Sequence, residues 1–309
     1  SAPPPPAAPA DIGEAFAPRV HLVAKHPHAG IRRGGANSSR VVKLVATDEA
    51  TYGLDIDGRV LSISPSALAP LPFRSPVLDI ACGPAHVIVL ATVPDDRRGA
   101  VSVLTWGDNT FGQLGYDGVR RTTAPRAVHG LKHHPTTVVA GTRHSAYIAR
   151  RGELVHWGGL QYPEQRVTHE VVASLEGAAV RQAAFGDDHA VAISGAGNVY
   201  FWGAHSREED RVDDFEPVDG VLLGRCATQV RATAHASYVL CDDGRLFAWG
   251  DLSAGAVDSA PDAPPRFGRT HVKLPRLIGR FDRWQQIETG GGPDHAARAG
   301  GAGGRRGRR

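Results

Sequence analysis

The pair Trp-Gly recurs four times at nearly constant distance, at Trp106-Gly107, Trp157-Gly158, Trp202-Gly203 and Trp249-Gly250. The intervals are 51, 45 and 47 residues. A period of that size means that one supersecondary unit is written several times, each too small to bury its apolar face alone. The first copy, VLTWGDNTFGQLG (Val103 to Gly115), is the fullest. Its Gly112-Gln113-Leu114-Gly115 ending is intact nowhere else.

A second motif keeps the same phase. Gly-x-x-His followed by an apolar run appears in GPAHVIVL (Gly83, His86), GTRHSAYI (Gly141, His144) and GDDHAVAI (Gly186, His189). ATAHASYV keeps His235 without the glycine, GPDHAARA keeps Gly292 and His295, and TDEATYGL places Ala50 at the histidine position. Glycines stand five residues ahead of the later tryptophans, at Gly152, Gly197 and Gly244, and GRVLSI repeats that piece with Gly58 and Ile63. The alternating runs between these marks read as half-buried strands. Asp57-Gly58 and Asp243-Gly244 predict two-residue hairpin turns, because glycine reaches the positive φ that primed turns require. Each unit is then strand, turn, strand, Trp-Gly and a loop to the next, which suits the blades of a radial propeller.

These residues resemble the regulator-of-chromosome-condensation repeat family, whose blades carry a Gly-x-x-His strand start, a Trp-Gly and a Gly-Gln-Leu-Gly. The resemblance runs from Val41 to Ala297. It implies an all-β fold, a β-propeller of about five to seven blades, complete or incomplete. The chain then divides into a Pro-rich, basic N-terminal arm (1–40), the propeller (41–297) and a Gly/Arg-rich tail (298–309). Histidine positions 50, 86, 144, 189, 235 and 295 bound five intervals, and a sixth unit begins at Gly292 before the sequence becomes AARAGGAGGRRGRR. Seven blades, usual in the family, would need more chain. Two arrangements stay open: a small ring closed by strands at Arg19–Ala24 and Val41–Val45, or an incomplete ring finished by another chain.

No run of 18 apolar residues exists, so no helical membrane span is expected. Cys82, Cys226 and Cys241 have no metal-site spacing and an odd count, so buried thiols are expected ahead of a Cys226–Cys241 disulfide. The net charge of +3 is uneven: residues 1–45 carry +4, residues 298–309 carry +5, and the segment between them carries −6. SAPPPPAAPA reads as an extended polyproline arm, and the arginine tail as a chain without a core of its own. Methionine is absent, even at position 1, which suggests a processed start and makes a mitochondrial or secretory leader an expectation.

For catalysis, Asp187-Asp188-His189 superficially offers a base with adjacent carboxylates. His189 nevertheless shares its place with His86, His144, His235 and His295, and a residue repeated in every blade reads as a structural tie. No nucleophile elbow, phosphate loop or dinucleotide fingerprint is present, so no catalytic residue and no cofactor is assigned. His26/His28 and His133/His134 lack ligand-spaced partners and read as loop histidines, so no metal is assigned either. Trp106, Trp157, Trp202 and Trp249 read as inter-blade packing, and Trp284, outside the pattern, as the better surface candidate.

Partner-binding candidates are the arginines Arg305, Arg306, Arg308, Arg309, Arg32 and Arg33, whose guanidiniums suit RNA or another polyanion. A solvated tail is the competing reading. The acidic loop Ser206 to Gly220 adds Glu208, Glu209 and Asp210. The expected function is a non-catalytic protein-interaction scaffold, a structural subunit of a large assembly, with a mitochondrial ribonucleoprotein favoured by analogy. The alternative implied by the resemblance is a guanine-nucleotide exchange factor, whose partner would be a small GTPase. No β-wedge insertion is identifiable, which leaves the acidic loop as its only substitute.

Overall fold

The computed structural model describes residues 40–64, 68–94, 96, 99–159, 167–204, 211–222, 224–252, 271–280, 287–288 and 298–299. All belong to one unit, residues 39–309. Among them the strands form five four-stranded antiparallel sheets and one two-stranded sheet. Blade 1 holds β1 (Val41–Ala46), β2 (Thr51–Asp55), β3 (Val60–Ile63) and β4 (Leu68–Pro70); blade 2 holds β5 (Val77–Cys82), β6 (His86–Thr92), β7 (Val101–Asp108) and β8 (Arg121–Ala127). Blade 3 comprises β9 (Pro135–Ala140), β10 (His144–Ala149), β11 (Leu154–Gly158) and β12 (Glu170–Val171). Blade 4 comprises β13 (Val180–Phe185), β14 (His189–Ser194), β15 (Val199–Gly203) and β16 (Val212–Pro217). Blade 5 comprises β17 (Ala227–Ala232), β18 (Ala236–Cys241), β19 (Arg245–Asp251) and β20 (His271–Arg280). A sixth unit is represented by β21 (Ile287–Glu288) paired with β22 (Arg298–Ala299). The first two residues of the expected tail therefore belong to a strand.

Each sheet is packed on a neighbour through the residues that its pleat turns to that side. Leu54 and Val60 of blade 1 meet Val77, Ile80, Val87 and Val89 of blade 2, while Ile88 and Leu90 point the other way onto Val138 and Tyr147 of blade 3. For this reason HSAYIA, HAVAIS and ASYVLC are buried at every position. They are not the half-buried strands that alternation predicts; a sheet covered on both faces has no solvent side.

The hairpins also differ from expectation. Gly58 N–H donates to Asp55 O and Asp55 N–H to Arg59 O, so the loop is three residues, 56–58, with only Gly58 at positive φ. That is a type I turn followed by a left-handed glycine, which replaces the two-residue primed turn. The same pattern recurs at Gly152 and Gly197. The longer loop has a use: the carbonyls of Gly58, Gly152 and Gly197 accept the N–H of Val77, Val180 and Ala227, the first residue of the next blade's inner strand, at 2.8, 2.9 and 3.0 Å. A second rung ties inner strands together, where Asp79 Oδ2 accepts Val138 N–H (3.0 Å) and Gln182 Oε1 accepts Val230 N–H (3.2 Å).

One face lacks this cover. Ile80, Val138, Ala183 and Val230 occupy one position of the inner strands and are 0, 3, 7 and 0 % exposed, whereas their counterpart in blade 1, Leu44, is 48 % exposed. Ile80→Ala is expected to cost about 2–5 kcal/mol and Leu44→Ala less than about 1 kcal/mol, because only the first leaves a cavity. Urea unfolding of the two variants measures the difference, and equal losses would show that Leu44 is covered in solution.

Candidate functional site

The Gly-x-x-His motif is an inter-blade device. His86 and His189 are wholly buried and His144 nearly so. His86 Nε2 lies 2.9 Å from Ser145 Oγ in blade 3, and Ser145 Oγ lies 2.8 Å from Gln113 O back in blade 2. The serine's one proton goes to that carbonyl, so His86 must donate from Nε2, leaving Nδ1 as a buried acceptor with no partner. His189 lies against the backbone of Ala236 in the next blade and stacks on Phe201 (5.9 Å). Where blade 4 has Ala190 in place of that serine, His144 packs on Phe185 (5.8 Å) and against the edge of Trp202 (5.7 Å). Burial pushes His86 down to about 4 and His144 and His189 down to about 3, so all three rings are neutral at physiological pH. The glycine three residues earlier makes room for the ring: a Cβ on Gly186 would lie 2.1 Å from His189 Cε1.

His235 does not occupy this position. Ala236 pairs with Gly250 as His189 pairs with Gly203, and His235, one residue earlier, is exposed. Blades 1 and 5 use Thr-x-x-Ala instead: Thr47 Oγ1 accepts Ala50 N–H at 2.9 Å, and Thr233 Oγ1 accepts Ala236 N–H at 3.1 Å. Ala50 and Ile63 do fall where the repeat puts them, since Thr51 faces Ile63 as Val87 faces Trp106.

The Gly-Gln-Leu-Gly turn joins the same network. Gln113 is buried, its Nε2 donates to Asp108 Oδ2 (2.9 Å), and its carbonyl accepts Trp157 Nε1–H (3.0 Å) as well as Ser145. Asn109 holds the loop by donating to Tyr116 O and Val119 O and accepting Leu114 N–H. The other candidates for chemistry are placed elsewhere. Asp188 pairs with Arg143 (3.3 Å), His133 with Glu153 (3.4 Å), and His134 Nδ1 lies 3.2 Å from Pro135 O. Among the described residues no cluster could hold a metal ion and no helix is long and apolar enough to cross a membrane. The three cysteines are free thiols; burial pushes Cys82 up to about 12 and Cys241 up to about 11, which makes them poor nucleophiles.

Arg32, Arg33, Glu208, Glu209, Asp210, Arg305, Arg306, Arg308 and Arg309 lie outside the described residues, as do Trp284, His26, His28 and His295. What the structure does present is a cleft of about 320 Å³ between the outer strands of blades 3 and 4. His156, Glu170, Trp202, Arg211, Asp213 and Asp214 line it. Trp106, Trp157 and Trp249 are buried as packing residues, but Trp202 is only half-buried and forms the cleft's wall. Sequence reasoning missed His156 and this use of Trp202. The available signal was the acidic run Val212–Pro217, which follows the repeat and brings Asp213 and Asp214 to that edge.

The Regulator of chromosome condensation (RCC1) repeat matches at residues 102–148, which run from β7 through the Gly-Gln-Leu-Gly turn into β10. The secretion-regulating guanine nucleotide exchange factor of Bos taurus is 30% identical over 195 residues, 56% of this chain and 40% of that protein. The probable E3 ubiquitin-protein ligase HERC4 of Mus musculus is 29% identical over 191 residues, 56% of this chain and 17% of that protein. The chain thus spans less than half the length of these curated relatives. Yeast RCC1 (Prp20), solved bound to Kap60, superposes with a TM-score of 0.63 at 19% identity over 83% of this chain and 65% of that one. Repeat match, blade register and propeller fold agree: the chain carries a regulator of chromosome condensation (RCC1) repeat at residues 102–148, set in a propeller fold like that of yeast RCC1.

Proposed function

We propose that this protein is a non-catalytic interaction scaffold, a propeller that presents its loops and blade edges to protein partners within a larger assembly. The observation that carries this reading is the use of its histidines. Among the described residues each base candidate in a Gly-x-x-His motif, His86, His144 and His189, is buried, held neutral and packed or bonded against the next blade, where no substrate reaches it. Relatives named for nucleotide exchange and for ubiquitin ligation share the repeat, and the ligase is several times longer than the matched segment. Binding through the repeat suits both. The basic arms extend the proposal to RNA or another polyanion, and the assembly is proposed to be mitochondrial.

Gradient sedimentation of source extract, with and without RNase, together with organelle fractionation, tests this. Co-migration with a very large particle in the mitochondrial fraction is expected, with release by RNase if the arms hold RNA. Migration near 32.7 kDa would overturn it and favour the exchange-factor reading. That second reading has one specific support, the bovine relative's name. Its own test is nucleotide release from small GTPases with the pure protein.

A further inference from the structure

We infer that the outward face of blade 1 is a docking surface for a further blade of the same type, brought by another polypeptide. The inference rests on the scaffold reading and names one surface through which that scaffold holds a partner.

Blade 2 shows what such a face is made for. Its Val77, Ile80, Val89 and Trp106 are buried with Leu54 and Val60 of the preceding blade. The same places in blade 1 hold Val41, Leu44, Gly53 and Ile63, since Leu44 pairs with Gly53 as Ile80 pairs with Val89. These residues share one face: a Cβ on Gly53 would lie 3.2 Å from both Val41 Cγ1 and Ile63 Cδ1. Leu44 is nevertheless exposed. Of the five large apolar side chains exposed among the described residues, three belong to blade 1, Val42, Leu44 and Ile56. Apolar area gathered in one place on a surface marks an interaction site.

The hydrogen bonds say what the occupant supplies. Val77, Val180 and Ala227 each give their N–H to the carbonyl of the preceding blade's hairpin glycine, and their counterpart Val41 has no such acceptor among the described residues. Val138 and Val230 give theirs to Asp79 Oδ2 and Gln182 Oε1 of the preceding blade. No side-chain acceptor reaches the N–H of their counterpart Leu44 among the described residues. Backbone donors beside aliphatic surface call for acceptors when that surface is covered.

The chain's own hairpins carry the matching set. Each has one aliphatic residue four places before its glycine and another two places after it: Leu54 and Val60 about Gly58, Ile148 and Leu154 about Gly152, Ile193 and Val199 about Gly197, Leu240 and Leu246 about Gly244. In the first three the pair packs on the following blade. In the fourth, Leu240 and Leu246 are already buried, so a second copy of this chain does not offer blade 5 to blade 1. Two copies meeting through blade 1 would set N–H groups against N–H groups. The occupant is therefore a foreign antiparallel sheet whose hairpin reads aliphatic-x-x-x-Gly-x-aliphatic, continuing the interface that blades 1 to 5 repeat.

The test is photo-crosslinking in source cells with benzoylphenylalanine placed at position 44 of the full chain, and sequencing of the adduct by mass spectrometry. The adduct is expected to join a different polypeptide through a segment of that hairpin form. The same probe at position 123, where Thr123 is exposed on the outer strand of blade 2, is expected to give no such adduct. With the probe at position 63, where blade 2 accommodates Trp106, Leu44→Arg is expected to lower the yield at least about tenfold, because it brings a charge into an apolar contact. The purified Leu44→Arg variant should melt within about 2 °C of the wild type, since the residue is exposed there. An adduct to a second copy, to this chain's own residues or to a segment without the hairpin form overturns the proposal, as does no adduct at position 44, an unchanged yield in Leu44→Arg or the same adduct at position 123. Sedimentation with a large particle beside any of these results leaves the scaffold reading standing without this surface, whereas migration of the protein alone removes both.

Discussion

Acidification from pH 7 to pH 5 is expected to strip most of the protein's stability, well before its carboxylates titrate. His86, His144 and His189 have folded pKa values of about 4, 3 and 3 against about 6.5 in the unfolded chain. Their folded values are depressed, so the unfolded state binds more protons at every pH between those limits. Stability is therefore whole above about pH 6.5 and falls as the pH drops toward 4. Each histidine removes roughly 1.4 kcal/mol per pH unit once well below 6.5. By pH 5 each has cost roughly 2 kcal/mol and the three together about 6 kcal/mol, comparable with the whole net stability of many domains.

The window separates histidines from acids. At Asp55, burial pushes the carboxyl up, but hydrogen bonds from the backbone and side chain of Arg59 outweigh it and hold the pKa below the ordinary value. Its contribution is present above about pH 4 and is lost only below that. Melting curves from pH 7.5 to 5 measure the histidine part. His144→Phe supplies the control, because that ring sits among Phe185 and Trp202 with an unpartnered Nδ1, and phenylalanine keeps the packing while removing one titration. The variant is expected to lose about one third of the pH slope. A melting temperature flat from pH 7 to 5, or an unchanged slope in His144→Phe, would refute the account.

The repeat was legible because its marks are steric necessities. A histidine ring folded under the next blade needs a glycine three residues before it, and a tryptophan at the end of β7, β11, β15 or β19 needs the positive-φ glycine that follows, so both pairs survive as readable words. His235 was misread because the words were matched by letter. The device in blade 5 is Thr233 with Ala236, which satisfies the same backbone with a hydroxyl and no ring, and a histidine stands by chance in the preceding place. Burial on both faces was hidden for a related reason: alternation in a strand such as HSAYIA reports side-chain size, and only the neighbouring sheets decide that Ser145 is inside. The cleft could not be read at all. It joins residues 156, 170–173, 202, 211 and 213–215, from the last two strands of two blades and the turn after β12, and a repeat period says nothing about where such strands diverge.

Gly152→Ala is expected to destabilise the protein by about 3 kcal/mol or more. Two costs combine. The residue sits at φ +85°, where an L side chain costs roughly 1–2 kcal/mol. Its Cβ would also lie 2.5 Å from Ala179 Cα and 2.7 Å from Val180 N, both backbone, so no side chain can swing aside. Ala179 is itself left-handed at φ +51°, and moving it breaks the Val180 N–H···O Gly152 bond that starts the inner strand of blade 4. Loss of that bond adds about 1 kcal/mol. Gly130→Ala separates the terms, since Gly130 has φ +75° and nothing within 4 Å of the added Cβ, so it pays the backbone strain alone. Urea denaturation of both variants gives the difference, and losses equal within about 0.5 kcal/mol would show that the turn does not set the spacing of blades 3 and 4. If the gap is as large as expected, the hairpin glycine acts as a hinge stop, with its missing side chain letting one sheet's turn seat against the first residue of the next.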